Sequence, residues 1–470
     1  MMTLQQARQW VGAAEIVGHP GIEIKRVHTD TRSLQIGDLF VALQGDNFDA
    51  HDFLANAKAQ GAVAAIAQHG LQAQGLAGLL VNDSKLALGQ LAKGWRAQFD
   101  LPLIAVTGSN GKTTVTQMIA SILRADQADQ AFSTLGNLNN DIGVPLTLLR
   151  LSAEHSIGVV ELGMNHPGEI AYLANITAAT VALVNNAQRE HLEFMGTVEA
   201  VAHENAAVIQ ALASQGVAVF PADDDYTAVW RKAANTRATL TFAMTGQADV
   251  TADAHWDVDG WRVLASSPQG PFDFKLHVAG RHNVKNALAA TACALAAGVP
   301  LGSIAAGLTA FEPVKGRSRA IQVKLQGHSI TLIDDTYNAN PDSMRAAIDV
   351  LAALPGPRLL VMGDMGEVGD QGPQAHQEAG HWAHRQGIDM LYTLGAQTPL
   401  ASRSFGSGQH FDDVDVLKAA VIAQLPNVGS VLVKGSRFMK MERVVQAISA
   451  YALVPTNTHK HTNEGNQHAA

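Results

Sequence analysis

The chain has 470 residues, of which 47% are hydrophobic, and its 33 basic and 42 acidic residues give a formal net charge of −9. At the usual ~100–200 residues per domain, this length predicts roughly two to four domains with ordinary apolar cores. The mild acidity argues against general binding to nucleic acid or to anionic membranes, so we expect neither as a partner.

Several features of the sequence bear on the cellular compartment. Cys293 is the single cysteine, which excludes an intramolecular disulfide and favours a reducing environment. The first residues, MMTLQQARQWVG, lack the basic start and apolar block of a signal peptide. The uncharged run from Ala287 to Phe311 is long enough to cross a bilayer, but Gly298-Val299-Pro300 interrupts it and predicts two short helices joined by a turn. We therefore expect a cytoplasmic protein.

The first part of the chain alternates short apolar runs with a helical pattern. Strands are predicted at Leu39 to Leu43, Val63 to Ala67 and Leu79 to Val81, and a helix is predicted near Phe53 to Gln60. We interpret residues 1–83 as a small α/β domain.

The segment TGSNGKTT, Thr107 to Thr114, has the pattern of a loop that holds a polyphosphate. The apolar run Leu103 to Val106 precedes it as a buried strand, and an amphipathic helix follows. This order aims backbone N–H groups and a helix N-terminus at phosphates, while Lys112 supplies a point charge and Thr113 a hydroxyl ligand for Mg²⁺. The loop departs from the common G-x-x-x-x-G-K-[ST] form, since Val106 stands where the first glycine would fall.

Further buried strands predict that residues 84–314 form a central domain with a largely parallel sheet. These strands are Ile157 to Leu162 and Val181 to Val184, and ligand sites are expected at their C-terminal ends. Glu161 closes the first strand, where a carboxylate can hold Mg²⁺ directly or through water. His191 follows the second strand by a short loop, which fits a metal or phosphate role and equally an ordinary surface or core position.

An amide cluster lies between the glycine loop and Glu161, in the segment LGNLNNDIGVP. Its members Asn137, Asn139 and Asn140 could form hydrogen bonds with a phosphate or a substrate carboxylate. A plain turn is the interpretation that the sequence alone favours.

The C-terminal part reads as a hinge followed by an open α/β domain, residues 315–456. The hinge KGRSR contains Arg317, which domain closure could bring onto a γ-phosphate. Helical segments separate four predicted strands, Ile330 to Ile333, Leu359 to Met362, Met390 to Leu394 and Val431 to Val433. Asp334 and Asp335 stand at the end of the first of them. The polar residues 457–470 predict a disordered tail.

Together these motifs resemble the Mur ligase family, the ATP-dependent amide-forming enzymes of bacterial cell-wall precursor synthesis. The resemblance covers nearly the whole chain apart from the tail. The segments that carry it are HTDTRSLQIGDLFVALQG (His28 to Gly45), TGSNGKTT, LGNLNNDIGVP, VVELGMNHPGEI (Val159 to Ile170), EHLE, GRHNVKN (Gly280 to Asn286), DDTYNANPDSM and VMGDMGEVG (Val361 to Gly369). The resemblance implies a fold of three α/β domains: a small N-terminal one, a central P-loop ATPase domain with a mostly parallel sheet, and a C-terminal Rossmann-like one.

The motifs are most similar to those of the family member that joins D-alanyl-D-alanine to UDP-N-acetylmuramoyl-tripeptide. The resemblance therefore implies a ligase that forms an acyl phosphate, with ATP and Mg²⁺ as cofactors and these two small molecules as substrates. We expect a monomer. A folylpolyglutamate synthase-like amide ligase, and a nucleotide switch that hydrolyses ATP only to change partners, stay open as alternatives.

The resemblance also implies roles for individual residues. The implied nucleotide-binding residues are Thr107, Gly108, Ser109, Asn110, Gly111, Lys112, Thr113, Thr114, Asn283, Arg317 and Asp335. The implied catalytic residues are Lys112, Glu161, His191 and Arg317, and the implied metal ligands are Thr113, Glu161 and His191. The implied substrate-binding residues are Asp30, Thr31 and Arg32, which would hold the UDP-sugar end, with Asn137, Asn139 and Asn140.

One position departs from many relatives, which have a carbamylated lysine in the helix after the histidine. In this chain the helix reads VAHENAAVI, and Asn205 occupies the lysine position. An amide cannot carry the negative charge of a carbamate, and the neighbouring Glu204 points ~100° away on a helix. We hypothesise that Asn205 ligates a metal neutrally, through its carbonyl oxygen or through water.

Overall fold

The computed structural model describes residues 1–45, 47–257, 260–325 and 327–453. Its internal contacts divide the chain into two units. The first comprises Met1–Val314 with Asn340–Ala346 and Gly366–Gln371, and the second comprises the rest of the chain from Lys315 onward. The predicted tail, residues 457–470, lies outside the described residues. The domain boundaries after residues 83 and 314 stay predictions.

The chain begins with short strands and helices around a small sheet. In chain order they are β1 (Met2–Thr3), α1 (Leu4–Val11), β2 (Glu15–Val17), β3 (Glu23–Ile24), β4 (Arg26–His28), β5 (Asp38–Val41), β6 (Gln44–Gly45), β7 (Phe48–Asp49), α2 (Leu54–Ala59), β8 (Ala64–Ala67), β9 (Gly78–Leu80) and α3 (Ser84–Arg96). The sheet order is β2-β9-β8-β5-β4, and only the β2–β9 pair in it is antiparallel. The strands and the helix predicted here are confirmed to within two residues.

The glycine loop follows β10, an interior strand of a long sheet in the first unit. The elements are β10 (Leu103–Thr107), α4 (Lys112–Gln127), β11 (Ala131–Ser133), α5 (Gly143–Leu148), β12 (Ile157–Glu161), α6 (Glu169–Thr177), β13 (Val181–Val184), α7 (Leu192–Met195), α8 (Val198–Gln210), β14 (Val217–Pro221), α9 (Thr227–Ala234), β15 (Ala238–Ala243), β16 (Val250–Asp257), β17 (Gly260–Ser267), β18 (Gly270–Leu276), α10 (Arg281–Ala296) and α11 (Leu301–Thr309). The sheet order is β11-β12-β10-β13-β14-β15-β16-β17-β18, with parallel pairs from β11 to β16. Because β10 lies between β12 and β13, the C-terminal ends of these strands meet at one edge of the sheet.

Strands β16 to β18 extend this sheet as an antiparallel meander, which we did not predict from the sequence. In β17 the buried residues Val263 and Ala265 alternate with exposed Leu264 and Ser266. This period of two is typical of a sheet that packs on one face only. Because the exposed Leu264 is apolar, the sequence of β17 does not show a regular alternation of apolar and polar residues.

Helices α10 and α11 confirm the interpretation of the uncharged run as two helices joined by a turn. Gly298 has a φ of +85°, the left-handed backbone that ends the first helix, and Pro300 directly precedes α11. Cys293 lies fully buried in α10, and burial raises the pKa of its thiol. Across the part of the chain that the structure describes, no helix is both long and apolar enough to span a bilayer.

The second unit is built on a sheet of order β19-β20-β24-β21-β22-β23. Its elements are β19 (Arg319–Lys324), β20 (Ser329–Asp335), α12 (Pro341–Ala352), β21 (Arg358–Gly363), α13 (Gly372–Arg385), β22 (Met390–Leu394), α14 (Pro399–Phe405), β23 (Gln409–Phe411), α15 (Val414–Gln424), β24 (Ser430–Lys434) and α16 (Glu442–Leu453), although the start of α12 groups with the first unit. The β19–β20 pair is antiparallel and the others are parallel. The four strands predicted for this region are confirmed, and with them the α/β fold class.

The close packing of α11 on α4 leads to a stability prediction. Gly307 is buried, and a Cβ at this position would overlap the Cα of Ile122. We expect Gly307→Ala to lower the free energy of unfolding by about 1–3 kcal/mol, because the two helix backbones would have to separate. Urea unfolding followed by circular dichroism measures this change.

Gly302 is the matched control, since it lies on the same helix with no atom near the position of an added Cβ. Gly302→Ala should leave stability unchanged or raise it by about 0.5–1 kcal/mol, through helix propensity alone. Equal effects of the two substitutions would contradict the packing explanation.

Candidate active site

The candidate phosphate-binding element is the loop between β10 and α4. Gly108 and Gly111 have φ values of +131° and +81°, a backbone conformation that favours glycine. A Cβ on Gly111 would lie 2.7 Å from Oδ1 of Asn286 and 2.8 Å from Nδ2 of Asn185, so a side chain here would have to displace these two amides. Helix α4 begins at Lys112. Since the first N–H groups of a helix have no acceptors within it, this end favours an anion.

Amide side chains hold the loop in this conformation. Asn185 Nδ2 donates to the carbonyl of Asn110 at 2.8 Å and to Oδ1 of Asn286, on α10, at 3.0 Å. Asn186 accepts from the N–H of Asn110 at 2.8 Å and donates to its carbonyl at 2.9 Å. None of these supporting asparagines was predicted as a site residue. The available signal was the pair Asn185-Asn186 directly after a buried strand.

The polar side chains of the loop are engaged by the protein. Ser109 Oγ accepts from the N–H of Gln188 at 2.9 Å. Asn110 Nδ2 donates to Oε1 of Gln188 at 2.6 Å, and its Oδ1 accepts from Asn340 Nδ2 at 2.9 Å. Thr114 lies in the first turn of α4. The side chains of Ser109 and Asn110 therefore shape the loop. Their backbone N–H groups also donate within the protein, to the carbonyl and the side chain of Asn186. The N–H groups at the start of α4 are then what this element offers to a phosphate.

Glu161 lies beside the start of α4, where the sequence analysis expected a metal. Thr113 Oγ1 donates to Glu161 Oε1 at 3.1 Å, and Asn139 Nδ2 donates to the same oxygen at 2.7 Å. The side chain of Glu161 is buried, and among the described residues its Oε2 has no hydrogen-bond partner. The structure thus brings Thr113, Glu161 and Asn139 together, and Asn139 orients the carboxylate.

Lys112 and His191 share an acidic neighbour, Glu190, that the sequence analysis did not identify. Lys112 Nζ lies 2.7 Å from Glu190 Oε1. His191 has a φ of +50°, and its Nε2 is 3.6 Å from the same oxygen. Its Nδ1 is 3.0 Å from Oε2 of Glu367, and this contact with His191 is the main cause that lowers the pKa of Glu367.

Thr107 and Asn205 are joined to each other in the buried interior. The Thr107 hydroxyl donates to Asn205 Oδ1 at 2.8 Å, and in the described structure Asn205 Nδ2 has no hydrogen-bond partner. Glu204 instead accepts from the N–H groups of Gly168 and Ile170, each at 2.9 Å. Direct ligation by Asn205 would need the second lone pair of its carbonyl oxygen, so the neutral-ligand hypothesis stays a prediction.

The other amide candidates have local roles. Asn283 is buried, donates to the carbonyl of Ala279 at 2.7 Å and accepts from Asn286 at 3.0 Å, which ties it to the amides behind the loop. Asn140 Oδ1 accepts from the N–H of Gly143 at 2.8 Å, as a turn residue does. Asn137 is exposed. Their predicted contacts with nucleotide or substrate stay predictions.

Asp30, Thr31 and Arg32 form a short turn at the end of β4 in the small N-terminal sheet. Arg32 is 89% exposed, and its guanidinium lies 2.6 Å from Asp30 Oδ2. Hydrogen bonds from Arg32 lower the pKa of Asp30 to about 2. The pair therefore presents both charges at the surface, where a polar ligand could reach them.

Arg317 and Asp335 belong to the second unit. Asp335 Oδ2 is 2.6 Å from Nζ of the buried Lys434, and its Oδ1 accepts from the N–H of Ser318 at 2.9 Å. The guanidinium of Arg317 lies 3.9 Å above the ring of Tyr337. This stacking fixes a cation close to the strand end where Asp335 stands.

Models of protein families match three parts of the chain. They are described as the Mur ligase middle domain, over residues 106–294, the Mur ligase glutamate ligase domain, over residues 316–437, and the Mur ligase family catalytic domain, over residues 23–96.

Characterised relatives and solved structures match along nearly the whole chain. UDP-N-acetylmuramoyl-tripeptide–D-alanyl-D-alanine ligase of Escherichia coli is 42% identical, over 91% of this chain and 94% of the relative, and that of Haemophilus influenzae is 40% identical, over 93% and 96%. A crystal structure of MurF from Acinetobacter baumannii has a TM-score of 0.89 at 38% identity and covers 95% of this chain and 98% of that chain. MurF ligase from Thermotoga maritima, in complex with ADP, has a TM-score of 0.79 at 26% identity, over 91% and 98%.

The contact between Thr107 and Asn205 predicts a structural role for the Thr107 hydroxyl. Thr107→Val keeps the shape but leaves both polar groups of Asn205 buried without partners. We expect the free energy of unfolding to fall by about 1–3 kcal/mol, while ADP affinity changes less than about twofold. Urea unfolding and calorimetric titration with ADP measure the two quantities.

Thr236→Val, at an exposed threonine of the same unit, is the control for the loss of a hydroxyl. If Thr107→Val kept its stability and lost ADP binding, Thr107 would instead contact the nucleotide with its side chain.

Proposed function

This chain belongs to the Mur ligase family, and we propose that it joins D-alanyl-D-alanine to UDP-N-acetylmuramoyl-tripeptide in peptidoglycan precursor synthesis, using ATP and Mg²⁺. The observation that carries the proposal is the glycine loop, with Lys112 and Thr113 at the start of α4 beside the buried Glu161. The chain that contains this loop matches UDP-N-acetylmuramoyl-tripeptide–D-alanyl-D-alanine ligases along about nine-tenths of its length. We propose that the enzyme acts in the cytoplasm as a monomer.

The reaction needs ATP because a carboxylate and an ammonium group do not condense at neutral pH. A carboxylate oxygen of the tripeptide attacks the γ-phosphorus of ATP, and the bond to ADP breaks. The amine of D-alanyl-D-alanine, once it has lost a proton to a base, attacks the carbonyl carbon of the acyl phosphate and expels phosphate. Catalysis of the first step rests on positioning and charge neutralisation. For that task we propose the N–H groups at the start of α4, together with Lys112 and Arg317.

The residues beside the loop fit a magnesium ion. Glu161 Oε2 is buried without a hydrogen-bond partner among the described residues, and the Thr113 hydroxyl lies next to the same carboxylate. Carboxylate and hydroxyl oxygens are ligands that Mg²⁺ accepts. We infer that Thr113 and Glu161 would hold the ion, with His191 as the third predicted ligand, and that it would supply positive charge to the phosphates.

The other predicted site residues would contact the substrates and the nucleotide. Asp30, Thr31 and Arg32 would hold the UDP-sugar end through their exposed charges and turn backbone. Asn283, Arg317 and Asp335 would contact the nucleotide, and Asn137, Asn139 and Asn140 the substrate, with Asn139 also orienting Glu161. The C-terminal domain would bring in D-alanyl-D-alanine.

A folylpolyglutamate synthase is the main alternative within the same chemistry. Such an enzyme from Mycobacterium tuberculosis, complexed with ADP and AMPPCP, has a TM-score of 0.60 at 18% identity, a likeness that concerns the fold alone. A nucleotide switch is the alternative from another class. Ligase, synthase and switch differ in what they require for phosphate release.

We expect phosphate release from ATP to require both UDP-N-acetylmuramoyl-tripeptide and D-alanyl-D-alanine. Mass spectrometry should show the amide product, and parallel reactions with diaminopimelate and lysine tripeptides identify the preferred third residue. Turnover with folate and glutamate, or release stimulated only by a macromolecule, would contradict the proposed function.

Lys112 supplies the main side-chain charge at the loop. We expect Lys112→Ala to lower kcat by at least about 10², in line with removal of a major transition-state contact. Steady-state phosphate release measures kcat, and a thermal scan shows whether the variant is folded.

Lys232→Ala is the control, because Lys232 is an exposed lysine on α9 of the same unit. A near-parental kcat for Lys112→Ala would contradict the role of Lys112 in phosphoryl transfer.

A further inference from the structure

The ammonium group of Lys112 is fully occupied by the protein itself. Its Nζ donates to the carbonyls of Gly108, at 2.7 Å, and Ser109, at 3.1 Å, and to Glu190 Oε1 at 2.7 Å. An ammonium group has three N–H donors, so each has an acceptor. A phosphate can therefore bind Lys112 only by displacing one of these acceptors.

Glu190 is the acceptor that a phosphate resembles most. The Lys112 and Glu190 side chains are only 14% and 12% exposed, so water screens their attraction less than at a surface. A phosphate oxygen and a carboxylate oxygen carry the same sign of charge and compete for the same donor. Metal-free nucleotide would then meet both a competitor for Lys112 and a repelling charge.

The second carboxylate oxygen of Glu190 is available to another ligand. Glu190 Oε2 is buried, and within the described ranges it has no hydrogen-bond partner. A buried carboxylate oxygen without a donor is unfavourable, and a divalent cation satisfies it. The imidazole Nε2 of His191 lies 3.6 Å from the other oxygen of Glu190, so a second metal-binding side chain stands beside this carboxylate.

From these contacts we infer that Glu190 makes tight nucleotide binding depend on the divalent cation. In the nucleotide-free protein Glu190 neutralises Lys112. When nucleotide arrives with Mg²⁺, Glu190 exchanges Lys112 for the cation, and Lys112 becomes available to the phosphates. The inference rests on the proposed use of ATP with Mg²⁺, and it gives Glu190 the role of a selectivity residue for the metal-bound form of the nucleotide.

The test compares ADP affinity with excess Mg²⁺ and with EDTA, by calorimetric titration of the whole chain without peptide substrates. Glu190→Gln removes the charge at nearly constant shape. We expect it to tighten metal-free ADP binding about tenfold, and to shrink the ratio of the Mg²⁺ to the EDTA affinity by at least the same factor. Glu199→Gln, which removes an exposed charge from the first turn of α8, should keep both values of the unmodified chain.

Glu190→Asp provides the second comparison. Its shorter side chain keeps the charge but lengthens both contacts, so it should change both quantities in the same direction as Glu190→Gln and by less. A thermal scan of each variant shows that it is folded, and if Glu190→Gln does not fold, Glu190→Asp decides the question.

The possible failures can be told apart. An unchanged ratio of affinities in a folded Glu190 variant, or weaker metal-free binding, would overturn the role of Glu190 and leave the proposed function intact. If the unmodified chain bound no ADP with Mg²⁺, the proposed function would be contradicted as well. The substrate assignment plays no part in this measurement.

Discussion

The constraint on which the site depends is the absence of space around Gly111. The loop backbone turns there with a positive φ while Asn286 and Asn185 press against it from α10 and from the segment after β13. The Asn185 amide donates to the carbonyl of Asn110 and to Oδ1 of Asn286, so residues remote in sequence help to set the path of the loop. Along this path α4 starts at Lys112, and the Thr113 hydroxyl donates to Glu161.

Charge in the site is balanced by the protein itself. Lys112 is paired with Glu190, His191 with Glu367, and Glu161 is held by two neutral donors, Thr113 and Asn139. Buried charges are tolerated when they are paired. Among the described residues, the carboxylate oxygens Glu161 Oε2 and Glu190 Oε2 are buried without a hydrogen-bond partner. In the proposed binding mode, a triphosphate with its cation would replace pairs that already exist, and binding would be an exchange of partners.

The sequence predicted what is encoded locally. The strand before the glycine loop was predicted to within a residue, and the helix after it was predicted without bounds. Both were recognisable because apolar runs, glycines and helical periodicity lie side by side in the chain. The amide side chains that hold the loop were missed. Asn185 and Asn286 come together only through folding, and asparagine is common in loops. The β16–β18 meander was missed because the exposed, apolar Leu264 interrupts the alternation of apolar and polar residues that would indicate a strand. The contact between the Thr107 hydroxyl and Asn205 was missed as well, because Asn205 lies on a helix that is distant in the sequence.

The burial of Cys293 has a practical consequence for this enzyme. The single thiol of the chain, Cys293, is buried in α10, and its raised pKa keeps it in the unreactive protonated form. A cysteine introduced at the surface would thus be the one group that a maleimide dye modifies. Fluorescent probes can be attached at chosen points on either unit, and motions during turnover can be followed without first removing a native residue.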